Sequence, residues 1–79
     1  MLSPIQLAKY YTYVVEWDSE DNAFIARTAE WESLIAHGTS PTNALLELIG
    51  VVADCIEDCR ERGEEYPQPF NTPIFQMMN

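Results

Sequence analysis

The chain has 79 residues, with thirteen acidic against four basic side chains and a formal net charge of −9. So short a chain makes one domain, and a core of that size rarely supplies more than ~3–5 kcal/mol. The acidity argues against nucleic acid, where affinity rests on Lys and Arg neutralising phosphates, and favours a basic partner or simple solubility.

Residues 1–9 read as an N-terminal arm. Ser3-Pro4 can start one helical turn with Ile5 and Leu7 touching the sheet, or the arm frays. The stretch lacks the basic start and apolar run of a signal peptide, and no segment approaches a membrane span, so a cytoplasmic protein is expected. Tyr10–Trp17, YYTYVVEW, is a strand: aromatic and β-branched residues without Gly or Pro. Tyr11, Tyr13, Val15 and Trp17 share one face, too apolar to be left in water, so this face is expected under the helix. Tyr10, Thr12, Val14 and Glu16 share the other, which is half apolar and suits a subunit contact. DSEDN, residues 18–22, is a turn, because short polar side chains bond nearby backbone groups there. Its spacing does not match a calcium loop, and it lacks the glycine such a loop needs.

AFIART, residues 23–28, is the returning strand. Glu30-Trp31-Glu32 breaks the alternation and forms a connection. LIAH, residues 34–37, is a short third strand, and Gly38-Thr39 leads onward. His37 is the single histidine, with no Cys, Asp or Ser at a motif spacing to make it catalytic.

Residues 40–63, SPTNALLELIGVVADCIEDCRERG, form one amphipathic helix with both ends marked. Ser40 is the N-cap, Pro41 fits the first helical position, and Gly63 can take the left-handed conformation that ends a helix. Leu45, Leu48, Ile49, Val52, Ile56 and Cys59 make one stripe, with Glu47, Asp54, Asp58 and Glu61 opposite. Arg60 and Arg62 complement the dipole in the last turn. Gly50, with Leu46 and Ala53, forms a shoulder beside the stripe. Glycine costs ~1 kcal/mol there relative to alanine, and close approach of another backbone would account for it. Val51, among the acids, is expected in water or in a contact. Cys55 and Cys59 stand one turn apart, too far for a disulfide, and two further ligands for a metal are lacking, since only His37 is on offer. In residues 64–79 three prolines forbid a helix. An extended tail is expected, with Tyr66, Phe70, Ile74 and Phe75 as anchors. It would dock as a short fourth strand on its own sheet, at an edge because of Pro73, or on a neighbouring subunit. The whole is an α+β fold, a three-stranded antiparallel meander with a long helix across one face (β-β-β-α).

Assembled, the chain resembles the HicB antitoxin family from about Tyr11 to Pro69. The resemblance rests on YTYVVEWDSEDNAFIARTAEW, a hairpin ending at the acidic-apolar pair Glu30-Trp31. It rests also on HGTSPTNAL, similar to a Gly-x-Thr-x-x-Glu-Ala step into the helix, and on the acidic Pro-x-Pro exit ERGEEYPQP. The chain departs from the family at Asn22-Ala23, where a glycine is usual, across residues 29–33, where Pro-Glu-Leu-Pro-Gly is usual, and at Asn43, where the capping Glu is missing. The resemblance implies a partial RNase H-like fold. It implies a non-catalytic module that occludes a small basic HicA-type toxin, which cleaves mRNA. The family's C-terminal DNA-binding domain has no counterpart here, so no direct contact with nucleic acid is expected.

The partner-binding candidates are acids to which the sequence gives no local structural role. Asp54, Asp58 and Glu61 lie on the outer helix face, and Glu64 and Glu65 follow it. The hairpin acids Glu16, Asp18, Glu20 and Asp21 come next. Gly38, Ser40, Pro41 and Gly63 are structural. No cofactor or metal is expected. RNase H-like catalysis needs clustered carboxylates holding two metals, and the strand positions supply no such set. The small core and aromatic tail predict at least a dimer. The alternative is an orphan, oligomeric HicB-like module with a non-toxin partner.

Overall fold

A computed structural model describes residues 1–71. The elements are α1 (Pro4–Ala8), β1 (Tyr13–Asp18), β2 (Ala23–Thr28), β3 (Ile35–Gly38) and α2 (Pro41–Arg62). The strands form one antiparallel sheet in the order β1-β2-β3. The class is α+β, as the sequence predicts.

Register decides which side chains meet α2. Val15 lies opposite Ala26, and Ala26 opposite Ala36. The two alanines, with Ala44, leave room for the large side chains of the helix stripe. Leu48, Val52 and Ile56 are fully buried on them. Each such side chain contributes about 1.5–3 kcal/mol on burial. Leu45, Ile49 and Cys59 flank the stripe, half-buried. Gly38 sets how closely helix and sheet approach. A Cβ there would lie 2.4 Å from the Ala44 nitrogen, so only glycine fits.

The ends of α2 are as the sequence predicts. Ser40 Oγ accepts from the Asn43 amide at 3.0 Å, and Pro41 occupies the first turn. Gly63 takes φ 69°, the left-handed region. Its N–H donates to Arg60 O and the next, Glu64 N–H, to Cys59 O, which satisfies two of the last carbonyls.

Several expectations are corrected. The arm does not fray: Ser3 caps α1 by accepting from Gln6 N, Gln6 Oε1 accepts from Ser3 N, and Leu7 and Ala8 are completely buried beside α2. Leu7 is inside, but Ile5 is left 47 % exposed rather than packed on the sheet. The first strand starts at Tyr13 and not at Tyr10, because Tyr10 and Tyr11 belong to the turn that leaves α1. The third starts at Ile35 and runs through Gly38. Trp17 is not under the helix. It lies opposite Phe24, which lies opposite Gly38 at the start of α2, so β1 is two strands away there. Its ring is half exposed and meets Phe24 edge-on at 5.1 Å. Val51 is half-buried against the core rather than among the acids alone, being one turn from Cys55 on the flank of the stripe. Among the described residues no backbone approaches Gly50: a Cβ built there meets nothing within 4 Å.

Candidate partner-binding surface

Asp54, Asp58, Glu61, Glu64 and Glu65 are all exposed, and the helix periodicity places the first three along the side of α2 away from the sheet. Asp58 is engaged locally. It pairs with Arg62 at 3.1 Å, one turn on, and Arg62 also reaches Glu64 at 3.5 Å. Exposed pairs of this kind contribute little, about 0.3–0.5 kcal/mol. Asp54, Glu61 and Glu65 make no hydrogen bond or ion pair among the described residues. They form a solvated negative surface that costs the fold nothing to present to a cation.

The hairpin acids are more occupied. Asp18 Oδ1 accepts from Glu20 N at 3.0 Å and Asp21 N at 3.4 Å, which closes the turn, while Asn22 takes φ 52°. Asp21 Oδ2 lies 3.2 Å from His37 Nε2 on the neighbouring edge of the open sheet face. Glu16 and Arg27 pair loosely at 3.9 Å on the same face. That face holds Ile25 buried at its centre and leaves Val14 and Ile35 about half exposed. Beside it a shallow depression of about 500 Å³ is lined by Val14, Arg27, Thr28, Ala29 and Glu32.

At the far end of the sheet, a set of polar residues that the sequence motifs do not reveal holds Leu2 and the segment after α2. The Glu30 carboxylate accepts from Thr12 N at 2.9 Å, from Thr12 Oγ1 at 3.1 Å, from Thr28 Oγ1 at 3.2 Å and from Phe70 N at 3.0 Å. Burial works to raise its pKa, but the Phe70 and Thr12 donors outweigh that and hold it below the usual carboxylate range. Arg60 donates to Leu2 O at 2.7 Å and to Tyr66 Oη at 3.0 Å. The Tyr66 ring stacks on Trp31 at 6.2 Å. Tyr11 donates its hydroxyl to Pro67 O, and Tyr13 donates to Ala8 O at 2.6 Å. Burial pushes both phenols up, with neighbouring Glu30 adding to it, Tyr13 to about 12. Of the expected tail anchors, Tyr66 therefore docks. Phe70 is held by its backbone while its ring stays 68 % exposed. Residues 64–71 pass the sheet without forming a strand. Ile74, Phe75 and Pro73 lie outside the described residues.

Little here points to chemistry. Burial raises the Cys55 thiol, and Cys59, Asp54 and Asp58 add to it, which is the opposite of an activated nucleophile. Among the described residues no three His, Cys, Asp or Glu side chains stand close enough to hold a metal ion, and no helix is long and apolar enough to cross a membrane. No family model, no curated protein and no solved structure matches this chain.

Proposed function

We propose that this is a cytoplasmic, non-catalytic binding module of HicB type that occludes a small basic HicA-type toxin through the acidic outer face of α2. The observation that carries the reading is that Asp54, Glu61 and Glu65 are exposed and bonded to nothing among the described residues. Carboxylates in that state imitate the phosphates of an RNA substrate and steer a cationic protein toward them. The open sheet face, with Val14 and Ile35 in water, is the surface for self-association into at least a dimer.

The test is the double charge reversal Asp54→Lys with Glu61→Lys, measured against a short basic ribonuclease sought in the neighbouring reading frame. Folding should change by no more than about 0.5 kcal/mol for each substitution. The association rate at low salt should fall at least about tenfold, and the wild-type rate should fall as salt rises. Wild-type kinetics in the double variant would move the contact to Glu16, Asp18, Glu20 and Asp21. No binding by the wild type would leave the orphan module, with a partner other than a toxin. A monomer mass by light scattering at all concentrations would refute self-association.

A further inference from the structure

Gly50 stands in the middle of a 22-residue helix, where glycine is the costliest residue after proline. Packing among the described residues gives no reason for it, since a Cβ there meets nothing within 4 Å. The space beside it is a cleft of about 280 Å³ between α1 and α2. Pro4 and Ile5 form one wall, Gly50 and Ala53 the floor, and Asp54 and Glu57 the rim. Among the described residues no Lys or Arg lines it: Lys9 follows α1 outside the lining, Arg60 is turned to Leu2 and Tyr66, Arg62 to Asp58 and Glu64, and Arg27 to Glu16.

We infer that this cleft receives a long cationic side chain, arginine or lysine, from a basic protein partner. An apolar floor under two carboxylates matches the two halves of such a side chain. The methylene stem lies on Ile5, Gly50 and Ala53, and the charged head reaches Asp54 and Glu57. Glycine at 50 keeps the floor open, because any larger side chain there would fill it from below. The inference deepens the reading given above by naming where on the acidic face the partner is gripped. Its test uses no toxin, so the two can fail separately.

The probe is a helical peptide of leucine, lysine and arginine, titrated into the full-length, nitrogen-15-labelled protein. The chain has three glycines, at 38, 50 and 63, so their amide signals serve as one reporter and two controls. The Gly50 and Ala53 amides should shift and saturate while Gly38 and Gly63 stay in place, and the affinity should fall as salt rises. Gly50→Leu should keep or raise the thermal midpoint, yet weaken the peptide at least tenfold, read at Ala53 and Asp54. Asp54→Asn with Glu57→Gln should weaken it at least fivefold. A peptide whose basic side chains are cut to two-carbon stems should also bind less well. Four results would overturn the inference. These are no binding, undiminished binding to Gly50→Leu, shifts confined to Asp58, Glu61 and Glu65, or a Gly50 shift that depends on protein concentration without peptide, which would give the cleft to a second copy.

Discussion

Leu48, Val52 and Ile56 fix α2 to the sheet by removing apolar surface from water, while residues 64–71, besides the packing of the Tyr66 ring, are tied to the body through polar groups: the Glu30 carboxylate, the Arg60 guanidinium and the Tyr11 hydroxyl. The first attachment is non-directional and scales with area. The second depends on a charge being present and on a few donors pointing the right way. One chain thus contains a body indifferent to mild acid and a strap after α2 that is not.

Three substitutions probe this contrast. Leu48→Ala empties the centre of the core and should cost about 2–5 kcal/mol, read as a lower urea midpoint that moves little between pH 5 and 8. A loss under 1 kcal/mol would mean that the helix is held by something other than its stripe. Glu30→Gln should cost about 1–2 kcal/mol at neutral pH, since bonds to a charged acceptor are replaced by weaker ones. The folded-state pKa of Glu30 is depressed, so its contribution is present above the unfolded value and lost as the pH falls through the folded one. Wild type and Glu30→Gln should therefore converge in stability as the pH falls below the usual carboxylate range and through the depressed folded-state pKa. Fluorescence of Trp31, which stacks on Tyr66, follows this in a Trp17→Phe background. A constant gap between the two proteins down to pH 2 would remove Glu30 from the role. Ser40→Ala should cost ~1 kcal/mol with no pH dependence in that range, and an unchanged midpoint would place the start of α2 elsewhere.

The body is legible in the sequence because its cause is periodic. Stripe, cap and closing glycine all lie within residues 40–63, and each signal has a fixed spacing. The two-residue alternation assigns the sheet faces correctly for Tyr13 and Val15. It gives Trp17 the right face too, yet Trp17 stays half exposed, because alternation says which face a residue takes and not whether a helix covers that point on it. The capping box of α1 stands in the sequence as Ser3 and Gln6, but a helix of 5 residues is too short to show an apolar period beside it. Glu30 is hidden for a different reason. Its partners Thr12 and Phe70 are 18 and 40 residues away, and no local pattern announces such a carboxylate. The outer acids are legible as candidates, but not the division between Asp58, which is paired, and Asp54 and Glu61, which are not. That division depends on which rotamer Arg62 adopts on a solvated surface.

Arg60 has a consequence for how the molecule loosens. One guanidinium holds the carbonyl of Leu2 and the hydroxyl of Tyr66, so the beginning of the chain and the segment after α2 share a single fastening. When it lets go, both segments lose a contact at once, so their fraying is coupled even though each keeps fastenings of its own. Amide exchange in α1 and around Tyr66 should then share part of its opening free energy. Lysine at position 60 would keep the charge, yet a compact ammonium lacks the planar fork that spans both acceptors. Under that substitution the two ends would exchange at separate rates, each on its own clock.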